Sequence, residues 1–111
     1  MPNKVTYSNK NRQNLGADVN IVSPTPFQTI IDAYNNPIDL EAQTISGWVL
    51  EIHNNSGGQI QIDFPIGLAG ASNNELLMNN GTHGVFIYLN EEDISEKYRM
   101  IGGSISGLTL Q

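Results

Sequence analysis

Thr44-Ile45-Ser46-Gly47-Trp48-Val49-Leu50-Glu51-Ile52-His53 runs into Asn54-Asn55-Ser56-Gly57-Gly58 and then Gln59-Ile60-Gln61-Ile62-Asp63-Phe64. Successive side chains of a strand point to opposite faces, so Trp48, Leu50 and Ile52 share one face and Val49, Glu51 and His53 the other. The same period sets Ile60, Ile62 and Phe64 apart from Gln59, Gln61 and Asp63. Between the two segments lie residues that tolerate positive φ. Strand, Gly-rich turn and strand predict a β-hairpin with a loop of about five residues.

Working outward, Asp18–Val22 and Phe27–Asp32 show short strand patterns, separated by Ser23-Pro24-Thr25-Pro26, where two prolines remove ladder donors. Asn35-Asn36-Pro37 is a turn signal. Residues 65–80 are poor in pattern, although Ser72-Asn73-Asn74-Glu75 suits the cap of a single turn holding Leu76 and Leu77. After the turn at Asn79-Asn80-Gly81, the segment His83–Leu89 is apolar on both faces. Val85, Ile87 and Leu89 lie on one side, Phe86 and Tyr88 on the other. Such a strand is either covered twice or turns one face to a partner. Asn90 then suits an N-cap, with Asp93 at N3, Leu89 and Ile94 as a staple, and acids at the positive end of the dipole. This predicts one short helix near residues 91–98, ended by Gly102-Gly103. Ser104–Leu110 reads as a terminal strand, in which Ile105 and Leu108 need a bulge near Gly107 to point the same way. No interval holds a long amphipathic helix between strands. The expectation is all-β: a single antiparallel β-sandwich or small barrel with that one helix.

The chain has 111 residues, enough for one core, and no cysteine, so nothing is stapled by disulfides. Net charge is −6, unevenly spread. Residues 1–14 carry Lys4, Lys10 and Arg12 without an acid. The remainder carries all 11 acids against Lys97 and Arg99, a net of −9. Residues 1–16 therefore read as a basic, Asn-rich arm and 17–111 as a single β domain, with ordered structure starting near Ala17. Fully extended, the first 14 residues span about 45 Å, enough to reach a neighbouring subunit. The acidic balance argues against direct nucleic-acid binding. The start lacks the apolar run of a signal peptide, and no window approaches the ~18 apolar residues of a membrane span.

Catalytic patterns are scarce. Gly103-Ser104-Ile105-Ser106-Gly107 has isoleucine where a nucleophile elbow needs serine, and no phosphate loop follows Gly57-Gly58. Glu51 and His53 share a strand face, and His83 from a neighbouring strand would complete a zinc-compatible set, so a metal-dependent enzyme is the least favoured of three readings. A carbohydrate-binding module using Trp48 or Tyr88 with asparagine side chains is the second. Trp48, set among Leu50, Ile52 and Gly47, is placed in the core rather than in a ligand platform.

Ile30-Ile31-Asp32-Ala33-Tyr34-Asn35-Asn36-Pro37-Ile38-Asp39-Leu40 leads into Thr44–Ile52. This resembles small β-sandwich virion domains of tailed bacteriophages, such as baseplate and adsorption proteins, over Phe27 to Tyr98. In those domains a Gly/Asn-x-Pro-x-Asp-Leu turn precedes a long core strand. The chain departs from them in its basic arm and in lacking a Gly-Asp before the first strand pair. The resemblance implies a non-enzymatic assembly protein without cofactor: a head decoration, head fibre or tail attachment component. It would be made in the host cytoplasm and bound to other virion proteins, with a homo-oligomer among the arrangements allowed. The expected partner-binding residues are Lys4, Lys10 and Arg12 of the arm and Phe86 and Tyr88 of the doubly apolar strand.

Overall fold

A computed structural model describes residues 27–91 and 95–111, together with the backbone of Arg12–Leu15 and Ile21–Val22. The chain is all-β. Its strands are β1 (Arg12–Leu15), β2 (Ile21–Val22), β3 (Gln28–Ala33), β4 (Ile38–Leu40), β5 (Trp48–Asn54), β6 (Ile60–Asp63), β7 (Glu75–Met78), β8 (His83–Tyr88), β9 (Tyr98–Gly103) and β10 (Leu108–Leu110). One sheet has the order β1-β3-β5-β8-β9 and the other β10-β7-β6-β4-β2. No barrel closes among the described residues. The strand at Arg12 lies upstream of the expected start near Ala17, so the end of the basic arm belongs to a sheet.

From β1 to β6 the chain changes sheet at every strand. Each crossing reverses its course, so the next strand in a given sheet returns in the original direction. That is why β1, β3 and β5 pair in parallel, as do β2, β4 and β6. Only β5–β8, β8–β9, β6–β7 and β7–β10 are antiparallel. The expected antiparallel architecture is thus corrected to two mixed sheets. The predicted hairpin is corrected with it. Both strands exist with the expected faces, but β5 and β6 belong to different sheets and the loop between them is an arch.

The arch is held by Asn54, whose side chain is fully buried. Its Nδ2 donates to the carbonyls of Gly58 (2.8 Å) and Met78 (2.9 Å), and its Oδ1 accepts from the N–H and the hydroxyl of Ser56. A hairpin would leave those groups to find other partners. The alternating faces of β5 and β6 then meet one another across the core. Trp48, Leu50 and Ile52 are buried from one sheet, Ile60 and Ile62 from the other, with Phe64 just beyond β6.

No helix occurs among the described residues. Residues 92–94 of the predicted helix lie outside them, but its last position, Tyr98, opens β9. Tyr98 donates its N–H to Gly67 O (3.0 Å) and accepts from Ala69 N–H (2.8 Å). Its ring fills the centre of an aromatic cluster with Trp48, Phe64 and Tyr88 at centroid separations of 6.5, 5.4 and 4.8 Å. Tertiary burial of that ring outweighs the local capping preference of Asn90, whose N–H instead meets Ser46 Oγ at 3.0 Å. Glu75–Met78, read as a possible helical turn, is a strand in which Leu76 and Met78 are buried. At the C-terminus Leu108 and Leu110 pack on the core, while Ile105 is fully exposed in a turn. The chain turns at Gly107 (φ 86°) and does not bulge to bring Ile105 inside.

The Tyr98 hydroxyl accepts a hydrogen bond from Gln43 N–H at 3.2 Å. Burial raises its pKa above the ordinary value of 10.0, the Gln43 bond opposes that shift, and Tyr88 adds to it. The folded chain therefore holds this proton more tightly than the unfolded chain, which deprotonates first. Stability contributed here is complete below pH 10 and falls as pH rises from there through the folded-state value. We expect wild-type denaturation midpoints to drop more steeply above pH 10 than those of Tyr98→Phe. That variant starts about 1 kcal/mol lower, because the Gln43 N–H loses its acceptor. Parallel curves for the two proteins would assign the alkaline loss to other groups.

Candidate functional site

β8 is an inner strand of its sheet, flanked by β5 and β9. Phe86 and Tyr88 point into the core and are buried, Phe86 5.1 Å from Phe64 by ring centroid. Their expected role as partner-binding residues is corrected: the pleat presents Val85 and Ile87, not the aromatics, to the outside. Lys4 and Lys10 lie outside the described residues. Arg12 begins β1, an edge strand, with only its backbone described. Trp48 is buried and donates Nε1–H to Thr29 Oγ1 at 3.0 Å. Neither Trp48 nor Tyr88 offers a ring face on which a sugar can stack.

The outward face of the first sheet can be read in rows across the strands. Gln28, Val49, Ile87 and Arg99 form one row. Ile30, Glu51, Val85 and Gly102 form the next, and Asp32, His53 and His83 the third. The centre holds four half-buried β-branched side chains, Ile30, Val49, Val85 and Ile87, with Glu51 among them. Phe27, 73% exposed, and Ile101, 58% exposed, lie near its margins. Ile101 is the extra residue of a register shift between β8 and β9, which leaves Gly102 opposite Val85.

Gly102 differs from the glycines around it. Its φ is outside the left-handed region, and a Cβ there would meet only Val85, at 3.8–4.0 Å, an ordinary contact. Gly103, by contrast, has φ 133°, and a Cβ would sit 2.5 Å from His83 O. At Gly84 it would press on the Phe86 ring at 3.0 Å. Backbone and packing therefore account for Gly103 and Gly84 but not for Gly102. Its effect is a gap beside Val85 in the outward surface.

The third row gathers the residues considered for metal binding or nucleophilic chemistry. His53 and His83 stack with centroids 5.3 Å apart and planes inclined by 11°. Glu51 Oε2 bonds His53 Nε2 at 2.5 Å, while Ser104 Oγ lies 3.3 Å from His83 Nδ1 and accepts the His83 backbone N–H at 3.0 Å. Imidazole lone pairs lie in the ring plane, and nearly parallel planes share no nearby point at which both can bind one ion. Among the described residues no group of three His, Cys, Asp or Glu side chains is placed to hold a metal. The carboxylate serves one ring and the hydroxyl the other. The two pairs are separate and do not form a carboxylate–imidazole–hydroxyl relay.

The second sheet turns a different face outward. Asp39, Asp63 and Glu75 occupy one cross-strand row, and the Gln61 amide donates to Asp63 (2.7 Å) and Glu75 (3.1 Å). One sheet thus turns a group of β-branched side chains outward among polar ones, and the other a row of carboxylates. Sequence reading found the doubly apolar β8 but missed Ile30, Val49 and Gly102. Their proximity depends on strand order and register, which no local pattern encodes. Compared with protein-family models and with curated protein sequences, the chain matches none.

Proposed function

We propose that this chain is a structural assembly protein that attaches to a larger protein assembly, a tailed-phage virion component made in the host cytoplasm. The observation that carries this reading is the contrast between the two outward sheet faces: β-branched side chains centre one, and a row of carboxylates lies on the other. Outward β-branched side chains set among polar groups suit contact with protein. The two sheets, with their inward side chains in one shared core, are read here as a sandwich of mixed strands. The resemblance of Ile30–Leu40 and Thr44–Ile52 to virion domains gives the assembly its class. The basic arm supplies a second contact, drawn to acidic surface on a neighbouring subunit.

Co-expression with the products of adjacent genes, followed by gradient sedimentation, tests this. The chain is expected to move with a heavy species. Removal of residues 1–11, stopping short of β1, is expected to leave the denaturation midpoint intact while weakening that co-sedimentation. A chain that stays at the top of the gradient with every neighbouring product would overturn the reading. Unchanged co-sedimentation without residues 1–11 would remove the arm from it.

A further inference from the structure

The last strand of the chain fits a second copy of itself. We propose that two copies pair edge to edge along β10, antiparallel about a two-fold axis through Thr109, so that their second sheets run on as one. The proposal rests on the reading that the chain acts through protein contacts and adds to it a site apart from the outward sheet faces. β10 ends the strand order of its sheet. Its inner edge is fixed by β7. Gln111 N–H donates to Glu75 O at 2.8 Å, Glu75 N–H returns a bond to Gln111 O at 3.2 Å, and Gly107 O accepts from Asn79 N–H at 2.8 Å. Along a strand, main-chain groups of successive residues point to alternate edges. Thr109 therefore also bonds to β7, while the N–H and C=O of Leu108 and Leu110 point off the sheet. Among the described residues no hydrogen bond reaches those groups.

Exposed edges are usually blunted by charge, proline, a bulge or a covering segment. Among the described residues none of these protects β10. Its register with β7 runs without a shift, and neither proline nor a charged side chain occurs from Met100 to Gln111. β9, the other edge strand whose side chains are described, differs. Gly67 and Ala69 bond its outer side at Tyr98, and its register with β8 shifts at Ile101. The order of residues selects the occupant. Leu108-Thr109-Leu110 reads the same in both directions, so an antiparallel mate matches it position for position. Leu108 of one copy stands opposite Leu110 of the other and exchanges both main-chain bonds with it, and the two-fold axis repeats the pair. Both leucines are half-buried against their own core, and pairing sets each beside a leucine of the mate. Thr109, exposed on the outer face, stands opposite Thr109, a favourable cross-strand pair. One pair of short strands buries less than the ~1,000 Å² at which specific interfaces begin. Dimerisation is therefore expected to depend visibly on concentration.

Equilibrium sedimentation over a concentration series up to about 1 mM reads the result. The wild-type mass is expected to rise from the single-chain 12.1 kDa toward twice that value, and amide exchange at Leu108 and Leu110 to slow as it does. Thr109→Lys and Thr109→Glu change an exposed side chain and leave its main-chain bonds to β7, so both should keep the wild-type circular dichroism spectrum. Each sets like charges directly opposite one another on the axis, and the dissociation constant is expected to rise about tenfold or more. An equal mixture of the two sets opposite charges there and is expected to regain at least the wild-type affinity. A wild type that stays at single-chain mass throughout overturns the proposal. So does a folded variant that dimerises alone like wild type, a mixture no tighter than either variant, or Leu108 and Leu110 amides indifferent to concentration. A monomer that still sediments with neighbouring gene products would sink the strand pairing and leave the assembly role standing. A dimer that joins no larger species would do the reverse.

Discussion

Asn54→Ala is expected to lower the unfolding free energy by about 3–5 kcal/mol, a large share of the ~5–15 kcal/mol available to a domain. The amide donates to the carbonyls of Gly58 and Met78 and accepts both the N–H and the hydroxyl of Ser56. Truncation removes four hydrogen bonds at once, among them the second donor to the Met78 carbonyl, which also pairs with Ile60 of β6. Each such bond contributes about 0.5–1.5 kcal/mol net. The arch loses the group that ties its two ends together as well. Its neighbour Asn55 donates to Asp32 on β3, and Gly57 N–H reaches Asn80 Oδ1, but these contacts lie nearer the surface and cannot take over. Ser56→Ala removes only the hydroxyl and keeps the Asn54 cap, so it should cost less than about 1 kcal/mol. Urea midpoints for the two variants decide the matter. If Asn54→Ala loses no more than Ser56→Ala, the arch is held by something other than the buried amide.

That residue also marks the limit of what was legible in the sequence. Period-two alternation in Trp48–Ile52 and Ile60–Phe64 identified the buried side chains of both strands correctly. The same alternation is produced whether two strands lie side by side or face one another across a core. A five-residue turn-forming loop serves either geometry. Only the tertiary burial of Asn54, outside any pattern rule, separates arch from hairpin. The helix near 91–98 failed for a related reason. Caps and staples report local preference, whereas Tyr98 is fixed by the aromatic cluster and by Gly67 and Ala69 across the chain. β4 and β7, with three and four residues, are too short to show a period. The functional surface was half visible: β8 was recognised as apolar on both faces, but its outward face could be paired with Ile30, Val49 and Gly102 only once the register was known.

Gly103→Ala and Gly102→Ala, one residue apart, are expected to differ by several kcal/mol. At position 103 φ is 133°, a conformation in which L side chains are strained by about 1–3 kcal/mol. The added Cβ would also stand 2.5 Å from His83 O and 2.9 Å from Gly84 Cα, both main-chain atoms on β8. Neither can swing aside like the end of a flexible side chain. Relief requires β9 to draw away from β8, which would strain the Ser104 N–H bond to His83 O (2.9 Å) and the Ser104 hydroxyl that accepts from His83 N–H. A total loss of about 3 kcal/mol or more is expected for Gly103→Ala. At position 102 the backbone is ordinary and the Cβ touches only Val85 at van der Waals distance. Alanine there also narrows the unfolded ensemble, so Gly102→Ala should be neutral or stabilising by up to about 1 kcal/mol. Urea denaturation midpoints of the two variants against wild type read these effects. Equal losses at the two positions would mean that Gly102 is required by the fold after all.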